Sequence, residues 1–170
     1  GNLFGVARAV ETLSRVARWL GDNDISRQYA LEALTIYTEL GNRYGISEAH
    51  NNLGLVAQML GNFSAALKHF QESLRITREI GTTERNMHQT LNNLGIVSAS
   101  LARYDEAKLY FSESLELAVN SGNQRMVANL LSNLGSIALQ THQYQEAQQR
   151  LEESVKIARE IGHKRIVAWA

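Results

Sequence analysis

The 170-residue sequence contains no cysteine and no proline. Without cysteine the chain has no disulfide framework, no thiolate nucleophile and no thiolate metal ligand, which suits a reducing compartment such as the cytoplasm. At the average usage of about 5 %, roughly eight prolines would be expected in a chain of this length. Because proline interrupts helix interiors, its absence favours a chain that is helical nearly throughout.

An excess of charge of either sign is also missing. Lys+Arg and Asp+Glu both number 17, so the formal net charge is zero. A neutral balance gives no general attraction to nucleic acid or to an anionic membrane surface. The sequence has no signal-peptide pattern and no apolar run long enough to cross a bilayer. We therefore expect neither nucleic acid nor a membrane as the partner of this chain.

The sequence does contain a four-residue motif that occurs three times. Residues 51–54 and 92–95 read Asn-Asn-Leu-Gly and residues 132–135 read Ser-Asn-Leu-Gly, so successive copies begin 41 and 40 residues apart. Both chain ends are in phase with this period and the chain does not begin with Met. These features predict one repeat domain over residues 1–170, taken from a longer protein. The predicted repeats are 1–40, 41–80, 81–121, 122–161 and the start of a fifth at 162–170.

Each repeat has the pattern of a helical hairpin. In the second repeat, apolar residues recur at helical spacing on both sides of a break at Gly61. Glycines at positions 41, 81, 122 and 162 stand where a left-handed residue would end a helix. Since neither helix of a hairpin can bury its apolar stripe alone, neighbouring hairpins must stack.

Three glycines lie in the middle of predicted helices, at the same place in successive repeats: Gly54, Gly95 and Gly135. Each costs about 0.5–1 kcal/mol relative to alanine, so we expect a compensating close approach of the paired helix. The paired helix offers a small residue and, four positions later, a large one: Ala66 and Phe70, Ala107 and Phe111, Ala147 and Leu151. Serines replace the small residues in the first repeat, which predicts a looser hairpin there.

This register of Leu-Gly, then alanine, then a large apolar residue resembles the tetratricopeptide repeat. The resemblance covers four repeats and the start of a fifth, and it includes the aromatic that opens three second helices: Phe63, Tyr104 and Tyr144. The units are longer than the usual 34 residues, and glycine stands where the family commonly has proline. Both departures are similar to a long-repeat branch found in bacterial signal-transduction ATPases and related transcriptional regulators, kinesin light chains and polarity adaptors.

The resemblance implies an all-α fold, a right-handed solenoid of stacked helix-turn-helix hairpins. HEAT and armadillo repeats have a similar length and are the structural alternative, although they do not require the glycine, alanine and phenylalanine register. No phosphate-binding loop, zinc-protease or serine-hydrolase motif is present. The five histidines form no ligand pattern. We therefore expect no catalytic residues, no metal and no cofactor, and the chain is not predicted to be an enzyme.

The resemblance also implies that the first helix of each hairpin lines a concave groove that holds a protein or peptide segment. Asn52, Asn93 and Asn133 would form a ladder with one amide per repeat, and an amide can both donate to and accept from a peptide backbone. Hydrogen bonding between helices and no role at all are the alternatives. The predicted groove residues of the second to fourth repeats are Asn51, Asn52, Leu55, Met59, Asn92, Asn93, Ile96, Asn129 and Asn133.

The first repeat differs because Arg8 and Arg15 take the groove positions. They form either a basic end that meets acidic groups by charge-assisted hydrogen bonds or a solvated surface. Two other functions remain open. The array is a spacer or relay with no ligand of its own, or it self-associates through exposed terminal helices, including the segment around Trp169.

Overall fold

The computed structural model describes residues 2–81 and 84–162, and within these ranges it contains eight α-helices and no β-strand. The predicted start of a fifth repeat, with Trp169, lies outside the described residues except for Gly162. Each of the four complete repeat windows holds two helices. The helices are α1 (Leu3–Leu20), α2 (Asn23–Glu39), α3 (Arg43–Met59), α4 (Phe63–Ile80), α5 (Glu84–Ser100), α6 (Tyr104–Asn120), α7 (Gln124–Gln140) and α8 (Tyr144–Glu160).

The chain divides into two compact units, residues 1–83 (unit 1) and residues 84–170 (unit 2). In unit 1, α1 pairs with α2, α3 pairs with α4, and α2 packs against α3. Unit 2 repeats this plan, with α5 paired to α6, α7 paired to α8, and α6 packed against α7. In every hairpin the two helices thus pack their apolar stripes against each other, and each hairpin also packs against the other hairpin of its unit.

The helix ends follow from local sequence. The predicted left-handed glycines between repeats are confirmed, with Gly41 at φ 64° and Gly81 at φ 62°. Ala102 and His142 adopt the same conformation between the helices of their hairpins, at φ 56° and 60°. The left-handed region costs a residue with a Cβ about 1–2 kcal/mol. The chain forms the same short turn at these two places without glycine, and it does so at this cost.

Among the helix starts that the structure describes, four are capped by the side chain of an asparagine. The Oδ1 atom of each accepts a hydrogen bond from the backbone N–H three residues later, at 3.0 to 3.2 Å. This contact satisfies one of the N–H groups that the first turn leaves unpaired. The dipeptide Gly-Asn marks each of these caps in the sequence. The capping residues are Asn2, Asn42, Asn62 and Asn123.

The predicted close approach at the mid-helix glycines is confirmed. A Cβ on Gly95 would lie 2.4 Å from the ring of Phe111, and a Cβ on Gly54 would lie 2.6 Å from the ring of Phe70. At Gly135 the nearest atom, at 2.8 Å, belongs to Leu151. The large residue itself, rather than the alanine, therefore occupies the space over the glycine.

The first hairpin replaces this contact with hydrogen bonds. Ser14 Oγ donates to the carbonyl oxygen of Ser26, and Ser26 Oγ donates to the carbonyl oxygen of Ser14, both at 2.8 Å. The two serines are fully buried, at 1 % and 0 % exposure. They therefore join α1 to α2 directly at the place where the other hairpins pack a side chain against glycine.

Candidate functional site

The second repeat presents its predicted groove residues unequally. On α3, Asn51 and Leu55 are half-buried, and Met59 is exposed. Asn52, however, is only 5 % exposed. Its amide is therefore placed for packing inside unit 1 and is not open to a ligand in this structure.

In unit 2 the asparagines of adjacent first helices contact each other. Asn133 Nδ2 on α7 donates to Asn92 Oδ1 on α5 across 3.2 Å. The partner is Asn92 rather than Asn93, the residue in register with Asn133. Both bonded amides are half-buried. One of the two alternatives to ligand binding, a hydrogen bond between helices, is thus present, and each amide retains further donors or acceptors.

A depression of about 470 Å³ lies beside this asparagine pair. The floor is apolar, with Ile96 on α5, and the rim is polar, with Asn133, Ser136 and Gln140 on α7. We call this depression the unit-2 groove. It contains two of the predicted site residues, Ile96 and Asn133. The other predicted residue of the fourth repeat, Asn129, is half-buried and does not line it.

Unit 1 has a smaller depression of about 380 Å³, which we call the unit-1 pocket. It lies between α1, the end of α2 and the start of α3. The predicted arginines Arg8 and Arg15 both line it, and so do two carboxylates, Glu11 and Glu48. The pocket therefore carries charge of both signs, whereas the sequence predicts only its basic residues.

A hydrogen bond between α1 and α2 fixes one of these carboxylates. Tyr37 Oη donates to Glu11 Oε2 at 2.8 Å. Burial, and then this bond to an anion, raise the pKa of Tyr37 well above its ordinary value. One signal for Glu11 was present in the sequence. Arg8, Glu11 and Arg15 are spaced by three and four residues, which puts them on one face of α1.

Two larger depressions lie along second helices of unit 2, with volumes of about 790 Å³ beside α6 and 700 Å³ along α8. Charged residues of both signs line both, and Leu109 beside the first is 71 % exposed. An intervening ion pair links their helices, since Lys108 Nζ lies 2.9 Å from Glu146 Oε2. These surfaces contain none of the predicted site residues.

A histidine pair joins the helices of the second hairpin. The Nδ1 atoms of His50 on α3 and His69 on α4 lie 3.1 Å apart, so one neutral ring donates to the other. Burial lowers the pKa of both imidazoles, and the nearby charge of His50 lowers that of His69 further. In the described part of the chain no three potential metal ligands come together. Sequence reasoning missed this pair because its members lie on different helices.

Within residues 2–81 and 84–162, none of the helices has the length and apolarity that a bilayer span requires.

Comparison with known proteins identifies the class of this repeat. The profile of the tetratricopeptide repeat family matches residues 5–79 and 86–160. These matches cover most of the chain, so the chain belongs to the tetratricopeptide repeat family. The predicted all-α solenoid of helical hairpins is thereby confirmed. A search of curated proteins found no match.

Several solved structures have the same fold as this chain. BtubC (BKLC) from P. vanneervenii has a TM-score of 0.87 at 20 % identity over 95 % of this chain and 66 % of its own. A signal transduction ATPase with numerous domains and a tetratricopeptide repeat sensor, from Pyrococcus horikoshii, has a TM-score of 0.88 at 18 % identity over 97 % of this chain and 26 % of its own.

A third similar structure is a Rap protein complexed with competence and sporulation factor. It has a TM-score of 0.85 at 19 % identity over 98 % of this chain and 46 % of its own. This chain therefore spans less than two thirds of the length of each of these three proteins. At such low identities the likeness shows the fold alone.

Proposed function

We propose that this chain is a non-catalytic module that binds a peptide or protein segment along the first helices of its hairpins. We further propose that it serves within a larger signalling or regulatory protein of the cytoplasm. The family membership supports a protein-interaction scaffold. The proposal adds the location of the site and the kind of ligand.

The unit-2 groove is the observation that carries this proposal. Its apolar floor at Ile96 suits a ligand side chain, and its rim of Ser136, Asn133 and Gln140 suits a ligand backbone. An extended peptide can contact the floor and the rim at the same time, because its apolar side chains alternate with backbone N–H and C=O groups. Asn133 is held in place by Asn92, so its amide is oriented before any ligand arrives.

The structural neighbours are consistent with this reading. One Rap protein of the same fold was solved with competence and sporulation factor bound to it. That ligand belongs to the Rap protein, and the present chain has the same fold at 19 % sequence identity over the aligned part. The neighbour thus supports the class of function and gives no identity for the ligand.

The experiment is a selection from a random-sequence peptide library, followed by binding measurements on two matched variants. Ser136→Arg places a bulky cation at the rim of the unit-2 groove, and Ser112→Arg places the same side chain on α6. Both serines are exposed, so both variants should fold. We expect Ser136→Arg to abolish binding of the selected peptides and Ser112→Arg to preserve it.

The reverse result would move the site to the second helices. If the library yields no peptide that binds the wild-type chain, a spacer or relay without a ligand becomes the better interpretation.

Self-association through α1 is a second candidate, because one face of this helix is apolar and uncovered in the described structure. The exposed apolar residues recur along α1, with exposures between 46 % and 88 %: Leu3, Val6, Leu13, Val16, Trp19 and Leu20. Contiguous exposed apolar surface of this kind marks interaction sites. Sedimentation equilibrium of the wild type and of Leu13→Glu tests this candidate. A mass that rises with concentration only in the wild type would support it, and two identical monomer masses would exclude it.

A further inference from the structure

The unit-1 pocket contains two carboxylates with different surroundings. Glu11 accepts the hydrogen bond of Tyr37, which stabilises its charge. Glu48, from α3, is half-buried, and no described residue forms an ion pair with it within 4 Å. Burial, and then the negative charge of Glu11, raise the pKa of Glu48, and the positive charge of Arg15 opposes this change. Within the described part of the chain, Glu48 is thus a partly desolvated carboxylate without an ion-pair partner.

The two arginines of the same pocket, in contrast to Glu48, are exposed to solvent. Arg8 and Arg15 stand seven residues apart on α1, one on each side of Glu11. An exposed guanidinium keeps its hydration, and pairing it with a new anion contributes little. A carboxylate that has already lost part of its hydration gains more from a new countercharge. The pocket therefore favours a cation over an anion.

Aromatic rings complete the surroundings of the carboxylates. Phe4 and Tyr44 line the pocket and are about half exposed, at 48 % and 47 %. Aromatic faces attract cations, and they also cover the aliphatic stem of a lysine or arginine side chain. The volume of about 380 Å³ is large enough to admit one such side chain.

We propose that the unit-1 pocket receives a lysine or arginine side chain of a partner peptide, held between Glu11 and Glu48 and against the rings of Phe4 and Tyr44. The inference rests on the proposed peptide-binding function and specifies the charge of the ligand at this end of the chain. It reverses the interpretation of Arg8 and Arg15 as a basic end for acidic groups. In this assignment the two arginines limit how tightly the cation binds.

The test uses four synthetic pentapeptides that differ only at the central residue, which is lysine, arginine, glutamate or norleucine. Binding is followed by backbone amide NMR shifts of the whole chain, which show both the affinity and the location. We expect the lysine and arginine peptides to shift amides of α1 and of the start of α3. The glutamate and norleucine peptides should leave these amides unchanged.

Three variants are expected to change the affinity for the lysine peptide in different directions. Glu48→Gln keeps the shape of the side chain and should weaken binding of the lysine peptide about tenfold, the equivalent of 1.4 kcal/mol. Arg15→Gln removes a competing cation and should strengthen the same binding about threefold. Glu32→Gln removes an exposed carboxylate of α2 outside the pocket and should change nothing. Thermal melts of all three variants establish that they are folded.

Several outcomes would overturn the inference. Binding of the glutamate peptide that Arg15→Gln weakens would show that the pocket takes anions. Equal binding of the norleucine and lysine peptides would show an apolar contact only. If library peptides bind the unit-2 groove while the lysine and arginine peptides leave α1 unaffected, this inference fails and the proposed function survives. If no peptide binds either unit, both fail together.

Discussion

The first and third hairpins join their two helices at corresponding places by different kinds of contact. In the third, α5 and α6 meet where Gly95 lies under the ring of Phe111. In the first, α1 and α2 meet at the corresponding place through the reciprocal hydrogen bonds of Ser14 and Ser26. Ala30 stands in register with Phe111, so no ring competes for the space that the serine occupies. The comparison teaches that the two helices of a hairpin can be joined at this place either by a side chain packed over glycine or by hydrogen bonds between serines.

The largest effect is expected from removing the ring that the third hairpin packs against glycine. Phe111 is 2 % exposed, and Phe111→Ala should lower the free energy of unfolding by about 3–5 kcal/mol, because it removes buried apolar surface and leaves a cavity. Leu109→Ala on the same helix is the control, since Leu109 is 71 % exposed and its loss should cost less than about 0.5 kcal/mol. Urea denaturation measures both. Equal losses would show that the ring contributes nothing specific.

A serine should be harmful where the ring is present. Gly54→Ser puts a Cβ 2.6 Å from the ring of Phe70, and overpacking of this kind costs about 1–3 kcal/mol. In the double variant with Phe70→Ala the ring is absent, so the total loss should be smaller than the sum of the two single losses. A double-mutant cycle by urea denaturation measures this coupling. Strict additivity would contradict the explanation for the serine at position 14.

The hydrogen bonds of the first hairpin should contribute less than the ring of the third. Ser14→Ala removes one donor while the bond from Ser26 Oγ remains, so we expect a loss of about 0.5–1.5 kcal/mol. Ser64→Ala, at an exposed position of α4, is the matched control and should be nearly neutral. Thermal melting of both variants is sufficient. A Ser14→Ala variant as stable as the wild type would mean that the serines fill space and do not link the helices.

The second hairpin adds a contact that depends on pH. Burial holds the pKa values of His50 and His69 below the ordinary value of about 6.5, so the unfolded chain binds protons more readily than the folded chain. Stability should therefore be constant at higher pH and fall as the pH drops below about 6.5, until the folded histidines also become protonated. Glu72 does not produce this effect, because its hydrogen bond with Arg75 lowers the pKa of a carboxyl group that already titrates below the histidines.

The measurement compares urea denaturation at pH 7.5 and pH 5.5 in the wild type and in the double variant His50→Gln, His69→Gln. We expect the double variant to lose less stability between the two pH values than the wild type does. An identical loss in both proteins would assign the pH dependence to other groups.

The sequence was sufficient to predict the hairpins because their determinants are local. Gly41 and Gly81 end helices by their own backbone conformation. Gly95 indicates a close contact, because glycine in the middle of a helix lowers stability unless another helix packs against it. The asparagine caps were equally local and were overlooked, although Gly-Asn precedes four helices. The serines at positions 14 and 26 were expected to loosen their hairpin. Only the structure shows that their hydroxyls reach each other's carbonyl groups.

The sequence and the structure can be compared at the candidate site residue by residue. Ile96 and Asn133 were chosen from their helix face, and both line the unit-2 groove. Asn52 was chosen by the same rule and is buried, because a helix face is not uniformly exposed when other helices pack on both of its edges. Helical spacing gives the direction of a side chain and leaves its neighbours unspecified.

The sequence by itself determined the period, the two helices of each repeat, their ends and the family, since each depends on residues close together along the chain. The tertiary structure alone decided which side chains meet: Asn133 with Asn92, His50 with His69, and Tyr37 with Glu11. These contacts join different helices, and their distances depend on how the helices pack. The charge and burial of Glu48 have the same origin, which is why the chemistry of the unit-1 pocket appears only in the folded protein.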